Sequence, residues 1–444
     1  MTTKTEQSIE QTAQMILDGA KKRGIRDIKV VASQSRNVST VYRKGVVDKV
    51  QESTRKDVTV HLYENGRYSA STSNDFRAEA MDKFLDSAVA LTRAMEKDPY
   101  RELTDPALYQ GRRDIDLKLF DRNVENFSSQ QRNELAQEAE AAAMVAAGEQ
   151  AISAESSMET QSASAIQLHS NGFEGRESGT QAWLFAEVSL KDEGDKRPSG
   201  WEVLGSRFAS DMTNAAEIGR QAALRASLKL KTKKTETQKC PMVVENRAVG
   251  RLLGGLLSAT SGRSLQQKRS FLEAHEGQQI ASNVFSITDS PFIVSGFGSR
   301  LFDSEGIAAK ELPVFVNGVF KNFFIDTYYG KKLGRTPTTG GASNLVLTPG
   351  EKSLDDLMAG IANGILVRGF LGGNSNSTTG DFSLGVYGTR IENGQLTDAV
   401  SELNISGNHT DVWKKLSAVG NDPWRYSTTR APSLLFDEIQ FSGN

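Results

Sequence analysis

Cysteine is almost missing from this chain of 444 residues: Cys240 stands alone, so no disulfide can close within it and no zinc site can be assembled from several thiolates. A reducing compartment is the simplest reading. Histidine is nearly as scarce, with His61, His169, His275 and His409 the only four. A surplus of positive charge is also absent: 53 Lys and Arg stand against 55 Asp and Glu. That balance argues against a dedicated nucleic-acid binder, which needs cations to neutralise phosphates. No apolar run approaches the roughly 18 residues required to span a bilayer. The opening MTTKTEQSIEQTAQMIL has no basic start, apolar run or small-residue cleavage site of a signal peptide. The expectation is a soluble cytoplasmic protein with no membrane and no direct nucleic-acid partner.

What is present reads as globular. Hydrophobic residues make up 38% of the chain, enough for buried cores, and the length calls for two or three domains. Ser8 to Arg23 has the spacing of an amphipathic helix stopped by Gly24. β-rich runs follow at 28–32, 38–42, 46–50, 58–63 and 68–71, with turn signals at Lys44-Gly45 and Asn65-Gly66. A helix from Phe76 to Met95, with Asn74 and Asp75 as candidate caps, closes the unit. The order then repeats. Ser128 and Gln131 form a capping box for a helix to about Ala147, strands are expected at 151–157, 163–169 and 181–190, and 212–228 returns to helical spacing. The fold class is therefore α+β: an N-terminal region with a possible internal duplication (1–111 and 112–229), a polar linker (230–239) and a β-rich C-terminal domain (240–444). Asn-Gly pairs at Asn317, Asn363 and Asn393 mark candidate hairpins in that last domain.

Most constellations that carry chemistry are missing. There is no G-x-S-x-G elbow, Walker A loop or G-x-G-x-x-G, and the glycine-rich run from Gly372 to Gly380 lacks the Lys-Ser or Lys-Thr of a phosphate cradle. His275-Glu276 begins like a zinc-protease helix, but Gln278, Gln279 and Ile280 stand where a second histidine belongs. A surface histidine is the better reading.

Seven stretches of the C-terminal part occur in one order: FDSEG (302–306), VNGVF (316–320), KKLG (331–334), FLGG (370–373), TGDF (379–382), IENGQLT (391–397) and GND (420–422). In this order they resemble the TldD/PmbA family, proteins described as modulators of DNA gyrase and associated with metalloproteolysis. The catalytic branch of that family, TldD, carries HExxxH on a helix and a later cysteine as zinc ligand. Here the corresponding helix is RLLGGLLSATSG (251–262), which puts Gly254 and Gly255 at the first histidine and the glutamate and Ala259 at the second histidine. No cysteine follows Cys240. The resemblance is thus to the PmbA branch, also called TldE.

That resemblance implies a chain without a metal or cofactor of its own, pairing with a zinc-bearing TldD-type metallopeptidase subunit. Together they would act on unfolded or extended peptides. A homodimeric binding or regulatory protein without peptidase activity is the other reading, and an autonomous hydrolase with an unrecognised site is a third. Asp303, Glu305, Gly306, Gly372, Gly373 and Asn421 are the candidate residues of a substrate cavity or partner interface. Gly254, Gly255 and Ala259 are the degenerate metal positions.

Overall fold

A computed structural model describes residues 8–443. The reading of the first residues as lacking a leader falls partly on 1–7, outside the described residues. Helix α1 (Ile9–Lys22) starts at Ser8, whose hydroxyl accepts from the Gln11 amide while the Gln11 side chain accepts from the Ser8 amide. This satisfies two of the free N–H groups of the first turn. Strands β1 (Asp27–Arg43), β2 (Val46–Glu64) and β3 (Arg67–Ser73) follow. Their turns are Lys44-Gly45 and Asn65-Gly66, with φ of 54° and 74°, and 53° and 77°, the positive pair that a tight hairpin requires. Helix α2 is Ala78–Ala94 and has no side-chain cap at Arg77. Asp75 instead lies two residues before the cap position and accepts from the Arg77 amide, so the expected role of Asn74 and Asp75 does not hold.

The second unit repeats the order: α3 (Ser129–Ala147), β4 (Ala151–His169), β5 (Glu174–Leu190), β6 (Ser199–Ser206) and α4 (Ala215–Ser227). The capping box of Ser128 and Gln131 is present, and Gly148 ends α3 at φ 58°. All six strands form one antiparallel sheet in the order β3-β2-β1-β4-β5-β6. Because β1 runs antiparallel to β4, with Lys29 opposite His169 and Arg43 opposite Glu155, the two units are related by an approximate two-fold. The separate runs expected at 28–32 and 38–42, at 46–50 and 58–63, and at 151–157 and 163–169 are in fact three continuous strands. Their polar middles stay extended because ladder hydrogen bonds involve only backbone groups.

The central strands contribute to two cores. Ile28, Val30 and Ala32 of β1 pack under α1 and α2 together with Ile166 and Leu168 of β4, whereas Tyr42 at the far end of β1 joins the core of α3 and α4. Burying each large aliphatic side chain contributes about 1.5–3 kcal/mol. The helices cover one face only. The other face presents Lys29, His169 and Glu177 to the C-terminal domain.

Residues 228–238 are not free in space: the Lys233 amide donates to Ala399, and Lys233 and Lys234 pair with Asp398 and Glu402. Beyond them lie strands β7 (Gln238–Val244), β8 (Ile287–Asp289), β9 (Leu312–Val316), β10 (Val319–Phe320), β11 (Leu345–Leu347), β12 (Asn363–Ser375), β13 (Asp381–Glu392), β14 (Gln395–Asn408), β15 (Leu416–Val419), β16 (Thr429–Arg430) and β17 (Leu434–Ser442). β14-β13-β12-β7-β17 closes on itself through β14–β17 pairing, with β15 added beside β17; β10-β9-β8-β11-β16 form a smaller sheet. The class is α+β with a β-rich C-terminal region. Asn317-Gly318 and Asn393-Gly394 make tight hairpins with positive φ at both residues. Asn363-Gly364 does not: it opens β12, where a Cβ on Gly364 would lie 2.7 Å from Ile361 and 3.0 Å from the Pro241 carbonyl. Close packing explains that glycine. Among the described residues no helix is long and apolar enough to cross a membrane.

Candidate functional site

Helix α5 (Asn246–Leu257) leaves β7 after one residue and presents two unlike faces. Ala248, Val249, Leu252, Leu253 and Leu256 are buried at helical spacing. The N-terminus is tied down by the GND stretch: the Asn246 amide donates to the Ser433 hydroxyl (3.0 Å) and the Asn246 side chain to the Asp422 carbonyl (2.6 Å), while the Asp422 carboxylate accepts from the Ser433 amide and hydroxyl (2.8 and 2.7 Å). Asp422 is therefore the residue that orients this helix. Its neighbour Asn421 is on the surface, bonded to the Glu351 carbonyl.

The other face of α5, with Arg251, Gly254, Gly255 and Ser258, borders a cavity of about 170 Å³ closed by Ser375, Phe382, Leu384 and His409. The two glycines differ. A Cβ on Gly254 would meet nothing, whereas one on Gly255 would lie 2.5 Å from His409 Nε2 and 2.7 Å from Ser375 Oγ. Gly255 is thus needed to let an imidazole reach the helix backbone, and Gly254 leaves an opening. Ala259 is fully buried in the core.

His409 is 1% exposed, and burial pushes its pKa down to about 4. It is not the residue of a polar turn that its neighbours in sequence suggest. The indole N–H of Trp413 lies 3.1 Å from His409 Nδ1, and an indole only donates. Nδ1 must therefore be the bare nitrogen, and the proton sits on Nε2, 2.9 Å from Ser375 Oγ. In this tautomer His409 donates to Ser375 and cannot take its proton, so the pair does not form an activated serine nucleophile. The donor set is equally poor for a metal. Glycine, glycine and a buried alanine offer no ligand, His409 is a single imidazole with both nitrogens engaged, and no group of three or more His, Cys, Asp or Glu able to hold an ion occurs among the described residues. The residues present do not fit zinc.

Gly372 and Gly373 reach this site from β12. Both have positive φ (59° and 76°), and the ladder to β13 shifts register between Leu371 and Asn374, a β-bulge. Their carbonyls accept from Arg251 Nη2 at 3.5 and 3.0 Å. β12 pairs with β7 only over Ile365–Val367, so beyond that its second edge has no strand neighbour among the described residues.

The acidic turn lies elsewhere. Asp303 is 4% exposed; Oδ1 accepts from the amides of Glu305 and Ile307, and Oδ2 from Thr339 Oγ1 and the Gly340 amide. Glu305 Oε2 accepts from the Thr327 amide and hydroxyl at 2.7 and 2.8 Å, and burial raises its pKa. Gly306, at φ 80°, passes within reach of Phe173 and His169. Lys29 of β1 donates to the Ser304 carbonyl, and its own pKa is lowered by burial. This turn joins the C-terminal domain to the helix-free face of the sheet and shares no lining residue with the cavity beside Gly255. The structure thus brings Gly372 and Gly373 to Gly254 and Gly255, and leaves Asp303, Glu305, Gly306 and Asn421 apart. Sequence reasoning missed Arg251, Ser375 and His409. The only local signal for them was arginine on the polar side of an otherwise apolar helix.

Comparison with known proteins agrees with this fold. Residues 29–92 match the PmbA/TldA metallopeptidase domain 1, 122–230 its central domain and 237–443 its C-terminal domain. "Metalloprotease PmbA" of Escherichia coli O157:H7 is 27% identical over 93% of this chain and 92% of its own length; a "Metalloprotease PmbA homolog" of Haemophilus influenzae is 26% identical over 99% and 97%. A Bacteroides thetaiotaomicron crystal structure, described as a "putative modulator of DNA gyrase", superposes with a TM-score of 0.95 at 39% identity, covering 98% of this chain and 99% of that one. TldE from Thermococcus kodakarensis shares the fold (TM-score 0.87, 18% identity, 97% and 100% covered). Matches that run through all three parts of the chain leave one assignment: this protein belongs to the PmbA/TldD metallopeptidase family.

Proposed function

We propose that this chain is the non-metallated subunit of a heteromeric cytoplasmic peptidase whose TldD-type partner holds zinc and activates water. One observation carries the reading: the α5 face keeps its cavity and its buried stripe, yet offers Gly254, Gly255 and Ala259 and an internally bonded, neutral His409 where a metal and a base would have to be held. The chain's own work is then to bind and orient substrate. The open edge of β12 beside Arg251 suits an unfolded or extended peptide added as a strand, with main-chain hydrogen bonds supplying affinity. Asp303, Glu305 and Gly306 serve the cavity indirectly, by fixing the C-terminal domain against the sheet.

Purification alone and after co-expression with a TldD-type chain tests this. The isolated protein is expected to hold no stoichiometric zinc and to cleave no peptide, and the co-expressed pair to co-elute and cleave. Zinc at one equivalent in the isolated chain, or cleavage by it, defeats the proposal. A stable homodimer that ignores the TldD-type chain would favour the binding-protein reading.

A further inference from the structure

Next to the cavity at Gly255, and sharing Arg251 with it, is a second cleft of about 300 Å³ between the central and C-terminal domains. Arg225, Lys229, Arg247, Arg251 and Arg368 line it, and none of its twelve lining residues is acidic. In a chain whose net charge is −2, this concentration of one sign is a built feature. Two carboxylates stand behind the wall. Glu202 accepts from Arg225 (3.0 Å) and Arg247 (2.5 Å), and Glu245 from Arg225 (3.1 Å), with Arg368 at 3.5 Å. Three guanidinium groups thus share two carboxylates. Among the described residues the Arg251 side chain donates only to the Gly372 and Gly373 carbonyls, and Lys229 donates to the Ser199 carbonyl, faces the ring of Tyr387 and is drawn on by Glu187. The cations outnumber the acids that face them. Burial disfavours the charged forms of Lys229, Arg247 and Arg368, a cost that an entering anion relieves.

We propose that this cleft is a carboxylate subsite, taking either the C-terminal carboxylate of a bound peptide or an Asp or Glu side chain. The position argues for a peptide: Arg251 touches both the cleft and the bulged edge of β12, so a strand laid on that edge delivers its end or a side chain to the cations. A small pocket enclosed by two domains suits a carboxylate better than a phosphodiester backbone, which needs a continuous basic track. The inference rests on the peptide-binding reading above.

Calorimetric titration of the full chain tests it with three unlabelled peptides of otherwise neutral sequence: one with a free C-terminus, one amidated, and one amidated but carrying a single glutamate. At least one of the two acids is expected to bind about tenfold or more tighter than the neutral amide, as charge-assisted hydrogen bonds allow, and the difference to shrink as salt is raised. Which acid wins tells the terminal carboxylate from the side chain. Lys229→Gln and Arg251→Gln, checked for folding by circular dichroism, are expected to abolish the difference, and Arg251→Lys to retain part of it. Equal affinity for all three peptides, no saturable binding of any, or tighter binding of an oligothymidylate that displaces the acid peptide overturns the proposal. Discrimination by a chain that forms no complex with a TldD-type subunit would defeat the subunit reading and leave the subsite standing. A cleaving complex without discrimination would do the reverse.

Discussion

His409 and His169 are both buried as neutral imidazoles, with pKa values pushed to about 4 and about 3 by burial. His169 is held between Gln167 and Tyr109, each 2.8 Å away, as His409 is between Trp413 and Ser375. In the unfolded chain each takes a proton near pH 6.5, in the folded chain only well below it. The unfolded state therefore binds more protons between about pH 6.5 and 4, and stability falls as pH drops through that window. Each contributes up to ~3 kcal/mol to the loss. Glu305, whose pKa burial raises, acts in the opposite sense, since the folded state takes its proton first on acidification. With the histidine shifts the larger, we expect urea midpoints to fall from pH 7 to pH 5. His409→Asn should be less stable at pH 7 but show a flatter pH dependence. An unchanged slope would mean that His409 titrates in the folded protein as it does in the unfolded chain. Asp303 makes a separate residue-scale prediction. It accepts from three backbone amides and one hydroxyl, so Asp303→Ala leaves buried donors unpaired and should cost about 2–4 kcal/mol in denaturant titrations.

At the scale of elements, α5 separates two glycines that look alike in sequence. Gly254→Ala adds a methyl group that meets nothing and removes a helix-interior glycine, so it should raise stability by about 0.5–1 kcal/mol. Gly255→Ala drives the same methyl group into His409 and Ser375 and should lower it, both read from thermal unfolding. Restoring His, Glu and His at 254, 255 and 259 is expected to fail as a zinc site for the same reason, because 255 and 259 are closed by His409 and by the core. What could be read in the sequence at this scale followed from chemistry acting over three or four residues. The helix beginning at Ser8, the capping box at Ser128 and the hairpins at Lys44, Asn65, Asn317 and Asn393 are of that kind. The continuity of β1, β2 and β4 was hidden, since Ser33–Asn37 and Gln51–Asp57 have no apolar alternation and are held by partners more than a hundred residues away or across a hairpin. His409 was hidden in the same way, because Ser375, Gly255 and His409 meet only after β12, α5 and the turn after β14 have assembled.

The helix-free face of the N-terminal sheet meets the C-terminal domain along a mixed seam, where Phe173 packs on Phe302 and Trp183 on Phe297 beside polar contacts, and no sequence window contains both sides of it. Lys29 reaches across to Ser304 at one end. At the other, Arg207 is 6% exposed and donates to the carbonyls of Gly296 (3.1 and 3.0 Å) and Phe297 (2.9 Å) in the C-terminal domain while bonding Thr180 and Leu119 on its own side. Burial lowers its pKa, but an arginine keeps its charge at any ordinary pH, so the clamp is present throughout the physiological range. Removing it leaves several buried carbonyls unpaired, each costing about 1–3 kcal/mol where water cannot enter. The barrel strands β12–β14 have their own ladder and do not depend on this contact. Arg207→Ala should therefore raise amide hydrogen exchange across residues 293–307 while β13 keeps its protection, and should weaken peptide binding through a cavity whose walls come from both domains. Uniform loss of protection across the chain would show instead that the two domains unfold as one unit. Unchanged exchange at 293–307 would show that the remaining contacts, among them Lys29 on the acidic turn and the Ser295 amide on the Leu117 carbonyl, hold the seam without Arg207.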